Sequence, residues 1–272
     1  YVIGDLLGVE RRYYEEFRVW SEALVYQLHS LASAERYEEA VEGHRALASF
    51  FRSLIRERRA TPQDDVASYL ACAERRGQLS EDESVSLLVN LLVAGHLTTA
   101  DLIASLSFLL LKNGDQRRTL QTDASLWPNA VDEALRLEPP TPLLARVHEE
   151  PKCMHGRAFE RGETINVFIA AANRDPAVFA EPDGFDVHRD HNRHLSFGGG
   201  GHFCLGAPLA RAEAEMAVKL LFGHFPDLAL GANAGDALWR NNPNFRGLTQ
   251  LKVTSGATGA PATTRFAALE PV

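Results

Sequence analysis

The amino-acid sequence predicts a mainly α-helical fold with small β-sheets. Apolar residues recur three and four positions apart along most of the chain before Leu137, which is the spacing of amphipathic helices. The β-like runs are few and short, and they come after Pro139 and Pro140. Helices are therefore expected to form most of the structure.

The composition is that of a folded globular protein. Of 272 residues, 45% are apolar and 24% are charged, which excludes disordered and collagen-like chains. Lys and Arg number 28 against 36 Asp and Glu, so nucleic acid and anionic membranes are not expected partners. The three cysteines, Cys72, Cys153 and Cys204, are too few for a disulfide scaffold and indicate a reducing, cytoplasmic compartment.

Helices are predicted first over 10–29 and 34–59, and then from the 61–65 cluster through Ala73. A capping-box pattern at Ser80 and Glu83 starts a longer helix. Its weakly polar stretch over 84–111 contains polar residues that would be costly in lipid: Asn90, His96, Thr98, Thr99 and Asp101. We therefore predict a buried core helix and no membrane span.

The second half of the chain alternates short elements with loops. A helix is predicted over 125–137, β-like runs over 143–147 and 164–169, and a helix from about Ala207 to Phe222. The segment 175–201 is rich in Pro, Gly, Asp, Asn and His without periodicity, and long irregular segments of this kind are often functional. We predict one domain over 1–253 and a flexible tail over 254–272.

The segment from Phe197 to Arg211 is the most informative. Four consecutive glycines, 198–201, precede Cys204 and allow the backbone to pass close to a flat group. Pro208 suits the first turn of the helix that follows. The positive end of that helix favours a thiolate at Cys204.

Four interpretations of this segment compete. A phosphate or dinucleotide loop lacks the required Gly-Lys-Ser/Thr or third glycine. A zinc site could use His191, His194, His202 and Cys204, although there is no Cys-x-x-Cys pair. The third interpretation is a structural glycine-rich loop around an inert thiol. Thiolate ligation of a haem iron is the interpretation favoured.

These residues resemble the cysteine loop of the cytochrome P450 family, Phe-Gly-x-Gly-x-His-x-Cys-x-Gly. The pattern matches at Phe197, Gly198, Gly200, His202, Cys204 and Gly206, and Ala210-Arg211-x-Glu213 continues as in soluble bacterial members. The resemblance implies that Cys204 is the axial ligand of haem b, that Phe197 packs beside the sulfur and that His202 reaches a haem propionate.

Other segments carry the same resemblance. Glu133 and Arg136, three apart on one helix face, resemble the Glu-x-x-Arg pair of the family, which forms a buried charge network with a later arginine, here Arg189. Arg146 resembles the second propionate-binding residue. The segment Ala94-Gly95-His96-Leu97-Thr98-Thr99 resembles the oxygen-binding part of the family's long helix. Gly95 is then expected to leave room for dioxygen beside the Thr98 hydroxyl.

Leu97 departs from the pattern. The family usually carries Asp or Glu there, and this carboxylate helps to deliver protons to dioxygen. Leucine can neither donate nor accept a proton, and His96 lies about 100° away around the helix. The hypotheses are slow or poorly coupled oxygenation, a substrate group that serves as the acid, or a non-standard reaction.

The resemblance starts within the helical middle of the family, so we expect a P450-like haem-thiolate fold that lacks its N-terminal part. It implies a monooxygenase that acts on an apolar small molecule, with secondary metabolism as its expected setting and with electrons from a ferredoxin and its reductase. Basic residues near the loop that could meet an acidic partner are Arg189, Arg193, Arg211 and Lys219. The alternative is a degenerate, non-catalytic relative that acts as a structural or binding partner.

Overall fold

A computed structural model describes residues 1–25, 33–231 and 237–256. The chain divides into two compact units, Tyr1–Leu97 and Thr98–Val272, and the boundary falls within one continuous helix. The predicted single domain over 1–253 stays a prediction. The predicted boundary before residue 254 falls inside the last strand, and the rest of the predicted tail from 257 onward lies outside the described residues.

The first unit is helical. It contains α1 (Val2–Leu7), α2 (Tyr14–Leu24), α3 (Ala34–Ala60), α4 (Val66–Arg75) and the first half of α5 (Glu81–Lys112). The predicted continuation of α2 to His29 lies outside the described residues. Apolar side chains from these helices form one core that includes Phe17, Leu47, Phe51, Ile55 and Leu88.

Side-chain caps fix where three of these helices begin. Ser33 Oγ accepts the Arg36 N–H, and Asp65 Oδ1 accepts the Ser68 N–H at 2.7 Å. At α5 the predicted capping box is confirmed: Glu83 N–H donates to Ser80 Oγ at 3.2 Å and Ser80 N–H donates to Glu83 Oε2 at 2.8 Å. Caps of this kind satisfy N–H groups that have no partner inside the helix.

In the second unit, the described residues form the remainder of α5 and the α-helices α6 (Gly114–Thr122), α7 (Trp127–Leu137), α8 (Ile169–Ala172) and α9 (Ala207–His224). α6 was not predicted, because most of its residues are polar and Leu120 is its only large apolar residue. The core of this unit includes Leu106, Leu110, Ala130, Val131 and Val218.

The strands form two-stranded antiparallel sheets, which confirms the predicted fold class. β1 (Leu143–Val147) pairs with β4 (Thr164–Phe168). These strands coincide with the two predicted β-like runs, except that Ile169 begins α8. β2 (Lys152–Met154) and β3 (Arg157–Phe159) form a hairpin, β5 (Ala229–Leu230) pairs with β8 (Val253–Thr254), and β6 (Ala237–Trp239) pairs with β7 (Leu248–Leu251).

α5 is long and apolar enough to cross a membrane, the only such helix among the described residues. A core helix of a soluble protein has the same composition. Leu88, Leu102, Leu106 and Leu110 on α5 are fully or almost fully buried, as the prediction of a core helix requires.

A buried ion pair ties α5 to the chain around β6 and β7. Arg240 donates to both oxygens of Asp101, at 2.8 and 3.1 Å. A Cβ on Gly247 would lie only 1.8 Å from Asp101 Oδ1, so only glycine leaves room for this carboxylate. Burial raises the pKa of Asp101 from 3.8 to about 6, although Arg240 opposes the shift.

This raised pKa predicts a pH dependence of stability. The folded protein binds a proton at Asp101 more tightly than the unfolded chain does, so the stabilising contribution is full below about pH 4 and is lost as pH rises through about 6. The loss amounts to roughly 3 kcal/mol, from about 1.4 kcal/mol per pKa unit. Urea unfolding of wild type and Asp101→Asn between pH 4 and 7 measures it. The free energy of unfolding of wild type should fall relative to that of Asp101→Asn as pH rises. A difference that stays constant with pH would contradict the raised pKa of Asp101.

Candidate functional site

The loop before Cys204 is closed by backbone hydrogen bonds. Gly198 N–H donates to the Leu195 carbonyl at 2.8 Å, and Cys204 N–H donates to the Phe197 carbonyl at 2.9 Å. Gly198 and Gly200 have φ of 71° and 65°, a backbone region that glycine enters without strain. The glycines therefore allow the turn that presents Cys204.

The surface around Cys204 is open. Cys204 is exposed, and its neighbours Phe203 and Leu205 are 54% and 85% exposed. A Cβ built on Gly199, Gly200 or Gly201 would meet no atom within 4 Å. A flat apolar group can therefore lie against this loop. The exposed Cys204 thiol supplies a sulfur ligand for a metal that such a group carries. The residues present fit a haem.

α9 begins directly after the cysteine. Gly206 is its N-cap, Pro208 lies in its first turn, and Ala210 N–H donates to the Gly206 carbonyl at 2.9 Å. A Cβ on Gly206 would approach Cys204 Sγ to 4.0 Å. Predicted site residues Cys204, Gly206 and Ala210 thus lie at the positive end of one helix.

Phe197 and His194 pack behind the loop. The Arg211 guanidinium lies 4.5 Å from the centre of the Phe197 ring and donates to Asp132 at 2.7 Å. His194 Nδ1 accepts the Ser196 N–H, and its Nε2 faces Asp132 Oδ1 at 3.3 Å. Burial raises the pKa of Asp132, but His194 and Arg211 more than offset it, so that the pKa is lowered overall.

His194 is consequently engaged at both ring nitrogens, and its side chain is only 3% exposed. Within the described ranges, no group of three or more His, Cys, Asp or Glu residues could hold a metal ion. The zinc interpretation therefore has no support in the structure.

Glu133, Arg136 and Arg189 meet in a buried network. The Glu133 and Arg136 side chains are both 0% exposed and are joined by two hydrogen bonds of 2.8 Å. Arg189 Nε lies 3.0 Å from each Glu133 oxygen. Arg136 also donates to the carbonyls of Asn173, Pro182 and Gly184. The charges are thus paired and hydrogen-bonded, the condition under which buried ions are tolerated.

Two asparagines in this region were missed by the sequence analysis. Asn192 Nδ2 donates to Glu133 Oε2 at 3.0 Å, and Asn173 joins Arg136 to the segment before Phe197. Neither belongs to a local pattern, because their partners are distant in sequence.

The two predicted propionate-binding residues lie on the surface. Arg146, on β1, is exposed and donates to the neighbouring Ala145 carbonyl at 2.9 Å. No carboxylate pairs with it among the residues that the structure describes. His202 is exposed in the short 3-10 helix Gly200–His202. Both side chains are accessible to an anionic group.

In the middle of α5, Ala94 is exposed, Thr98 is half-buried and Thr99 is buried. Ala94 and Thr98 are one turn apart and share a face. At Gly95, a Cβ would lie 3.0 Å from Ile3 Cδ1 of α1. The role of Gly95 in leaving room for dioxygen stays a prediction.

Leu97 and His96 also pack against other residues of the chain. Leu97 is 8% exposed. His96 Nδ1 hydrogen-bonds to Ser21 Oγ of α2 at 2.7 Å, and burial lowers the pKa of His96.

The basic residues predicted to meet a partner differ in their surroundings. Arg189 pairs with Glu133, Arg211 with Asp132 and Lys219 with Glu215. Arg193 is exposed. Three of the four predicted cations are thus already engaged within the chain.

The Glu133 network predicts a large effect on stability. Glu133→Gln keeps the size of the side chain but leaves two arginines without their carboxylate, so the free energy of unfolding should fall by about 3–5 kcal/mol. Asp115→Asn, in the exposed pair with Arg118, is the matched control and should leave the urea midpoint unchanged. Equal midpoints for the two variants would contradict the role of the network.

Comparisons with known proteins place the chain among named relatives. The sequence model described as Cytochrome P450 matches residues 121–226. The 6-deoxyerythronolide B hydroxylase of Saccharopolyspora erythraea is 40% identical over 254 residues, which is 93% of this chain and 62% of that protein. The chain thus spans about 62% of the length of this curated relative.

Solved structures of other proteins are also similar to this chain. P450BioI, in complex with a hexadec-9Z-enoic acid ligated acyl carrier protein, has a TM-score of 0.87 at 35% identity, covering 93% of this chain and 65% of that one. CYP109E1 from Bacillus megaterium, in complex with testosterone, has a TM-score of 0.86 at 31% identity, covering 94% of this chain and 67% of that one. With the cysteine loop and the buried Glu-x-x-Arg network, these similarities show that the chain belongs to the cytochrome P450 family.

Proposed function

We propose that this chain binds haem in a bacterial-type monooxygenase, and that the Cys204 thiolate is the group that would hold the haem iron. The observation that carries the proposal is the exposed Cys204 thiol on a glycine loop that leaves open space for a flat group. Membership of the cytochrome P450 family supports it, because members hold haem iron through a cysteine thiolate.

Haem held in this way would supply activation of dioxygen, with one oxygen atom transferred to a C–H or C=C bond of the substrate and the other converted to water by two electrons and two protons. The residues of this chain bind the haem and orient the dioxygen. Cys204 supplies the thiolate at the start of α9, and Arg146 and His202 supply positive or donor groups for the propionates. Thr98 Oγ1, on the same face of α5 as Ala94, is the hydroxyl that can hydrogen-bond to dioxygen.

An apolar small molecule is the proposed substrate class. The relatives and neighbours support it: one is named for hydroxylating 6-deoxyerythronolide B, one was solved with testosterone and one with a fatty-acyl carrier protein. Electrons are proposed to come from a ferredoxin and its reductase in the cytoplasm. Secondary metabolism is the proposed setting.

The buried Leu97 favours a second candidate. Without a carboxylate at this position, the chain could serve as a non-catalytic relative that binds a partner, or as a haem-thiolate enzyme with non-standard chemistry. Both alternatives keep the cytochrome P450 fold. The first would form no oxygenated product, and the second would form a different product.

The ferrous–CO spectrum tests the haem ligation. Wild type should give the red-shifted Soret band of a thiolate ligand, and Cys204→Ser should lose it. Cys153→Ser, at an exposed thiol on β2, is the matched control and should retain the band. A folded, colourless wild-type chain would overturn the enzyme proposal and favour the non-catalytic alternative.

Leu97 gives a separate prediction for turnover. Leu97→Glu restores an ionisable group, so the amount of product formed per reduced cofactor consumed should rise several-fold. Leu97→Gln changes size and polarity in the same buried position without a titratable proton, and it should stay at the wild-type ratio. Equal, high ratios in all three proteins would show that proton delivery does not depend on this residue.

A further inference from the structure

Asn173 lies between the buried charge network and the cysteine loop. It follows α8, is 0% exposed, and has a partner for each of its polar groups. Its backbone carbonyl accepts from Arg136 Nη1 at 3.0 Å. Its Oδ1 accepts the Leu195 N–H at 2.8 Å, and its Nδ2 donates to Ser196 Oγ at 2.9 Å.

Ser196 extends these contacts to α7. Its Oγ donates to the Leu135 carbonyl at 2.6 Å, and Leu135 lies between the two charged residues of the Glu-x-x-Arg pair. The loop at Leu195 and Ser196 is therefore held both by Asn173 and by α7.

The same stretch of loop carries the bonds that position the cysteine. The Leu195 carbonyl accepts the Gly198 N–H, and the Phe197 carbonyl accepts the Cys204 N–H at 2.9 Å. A displacement of Leu195 or Ser196 thus moves both acceptors.

The donors and acceptors allow one orientation of the Asn173 amide. A flipped amide would place Nδ2 against the Leu195 N–H, two donors facing each other. Ser196 Oγ would then have to give up Leu135 in order to donate to Oδ1. A buried polar group left without a partner costs about 1–3 kcal/mol. The network therefore fixes the loop backbone as well as the side chain.

We propose that Asn173 is a positioning residue for Cys204, which transmits the fixed position of Arg136 to the backbone of Leu195 and Ser196. It acts through the loop and does not contact the sulfur. The inference rests on the proposed function only where it treats Cys204 as the iron ligand.

Amide hydrogen exchange on the full 272-residue chain tests the proposal without any haem. In Asn173→Ala, protection at the amides of Leu195, Gly198 and Cys204 should fall about tenfold, the effect of losing about one hydrogen bond. Amides within α7 and α9 should keep their protection. A uniform loss throughout Thr98–Val272, or unchanged exchange at Cys204, would overturn the proposal.

Ser196→Ala provides a second variant that leaves Asn173 in place, and it decides the question if Asn173→Ala does not fold. Its matched control is Ser107→Ala, since Ser107 is also a serine whose Oγ donates to a carbonyl, Ile103 at 2.8 Å on α5. Faster exchange at Cys204 is expected in Ser196→Ala and not in Ser107→Ala. The same exchange at Cys204 in both would contradict the proposal.

The haem-loaded chain gives an independent readout. In Asn173→Ala, the share of the ferrous–CO complex that lacks the thiolate-type Soret band should rise several-fold over wild type, and an unchanged share would count against positioning. If wild type itself binds no haem, the proposed function fails, while the exchange result still decides the role of Asn173.

Discussion

The pairing of the Glu133 carboxylate with two arginines is the interaction on which the cysteine region depends. An uncompensated charge in a protein interior is costly by several kcal/mol, so Arg136 and Arg189 must stay where Glu133 can reach them. Arg136 in turn holds the carbonyls of Asn173, Pro182 and Gly184. One ion pair on α7 thereby fixes three points of a segment that has almost no regular secondary structure.

That constraint explains how an irregular loop can present a ligand accurately. Backbone groups in such a loop need partners that helices and strands would otherwise provide. Here Asn173 accepts the Leu195 N–H and His194 accepts the Ser196 N–H, while Gly198 and Gly200 permit the turn. The fixed side of the loop faces the protein, and the glycine side is open around Cys204. One face of this short segment is thus held by hydrogen bonds, and the other face is accessible to a ligand.

The elements that were predicted from the sequence are those that local patterns determine. The features that were missed depend mostly on contacts between residues distant in the sequence. The capping box at Ser80, the long α5 and the strands β1 and β4 follow from spacing and composition. α6 and the β2–β3 hairpin were missed, because the first is mostly polar and the second has strands of three residues. The spacing of Glu133 and Arg136 was visible, but their complete burial depends on partners more than 35 residues away, such as Asn173.

Ligation of haem iron by the sulfur of Cys204 is the central claim, and resonance Raman spectroscopy tests it most directly. The haem-loaded ferric chain, prepared with natural cysteine and with cysteine labelled with sulfur-34, should show an iron–sulfur stretching band that moves to lower frequency with the label. The band should be absent from Cys204→His and present in Cys153→Ser. A spectrum without a label-sensitive band, or one whose band survives in Cys204→His, would contradict the account.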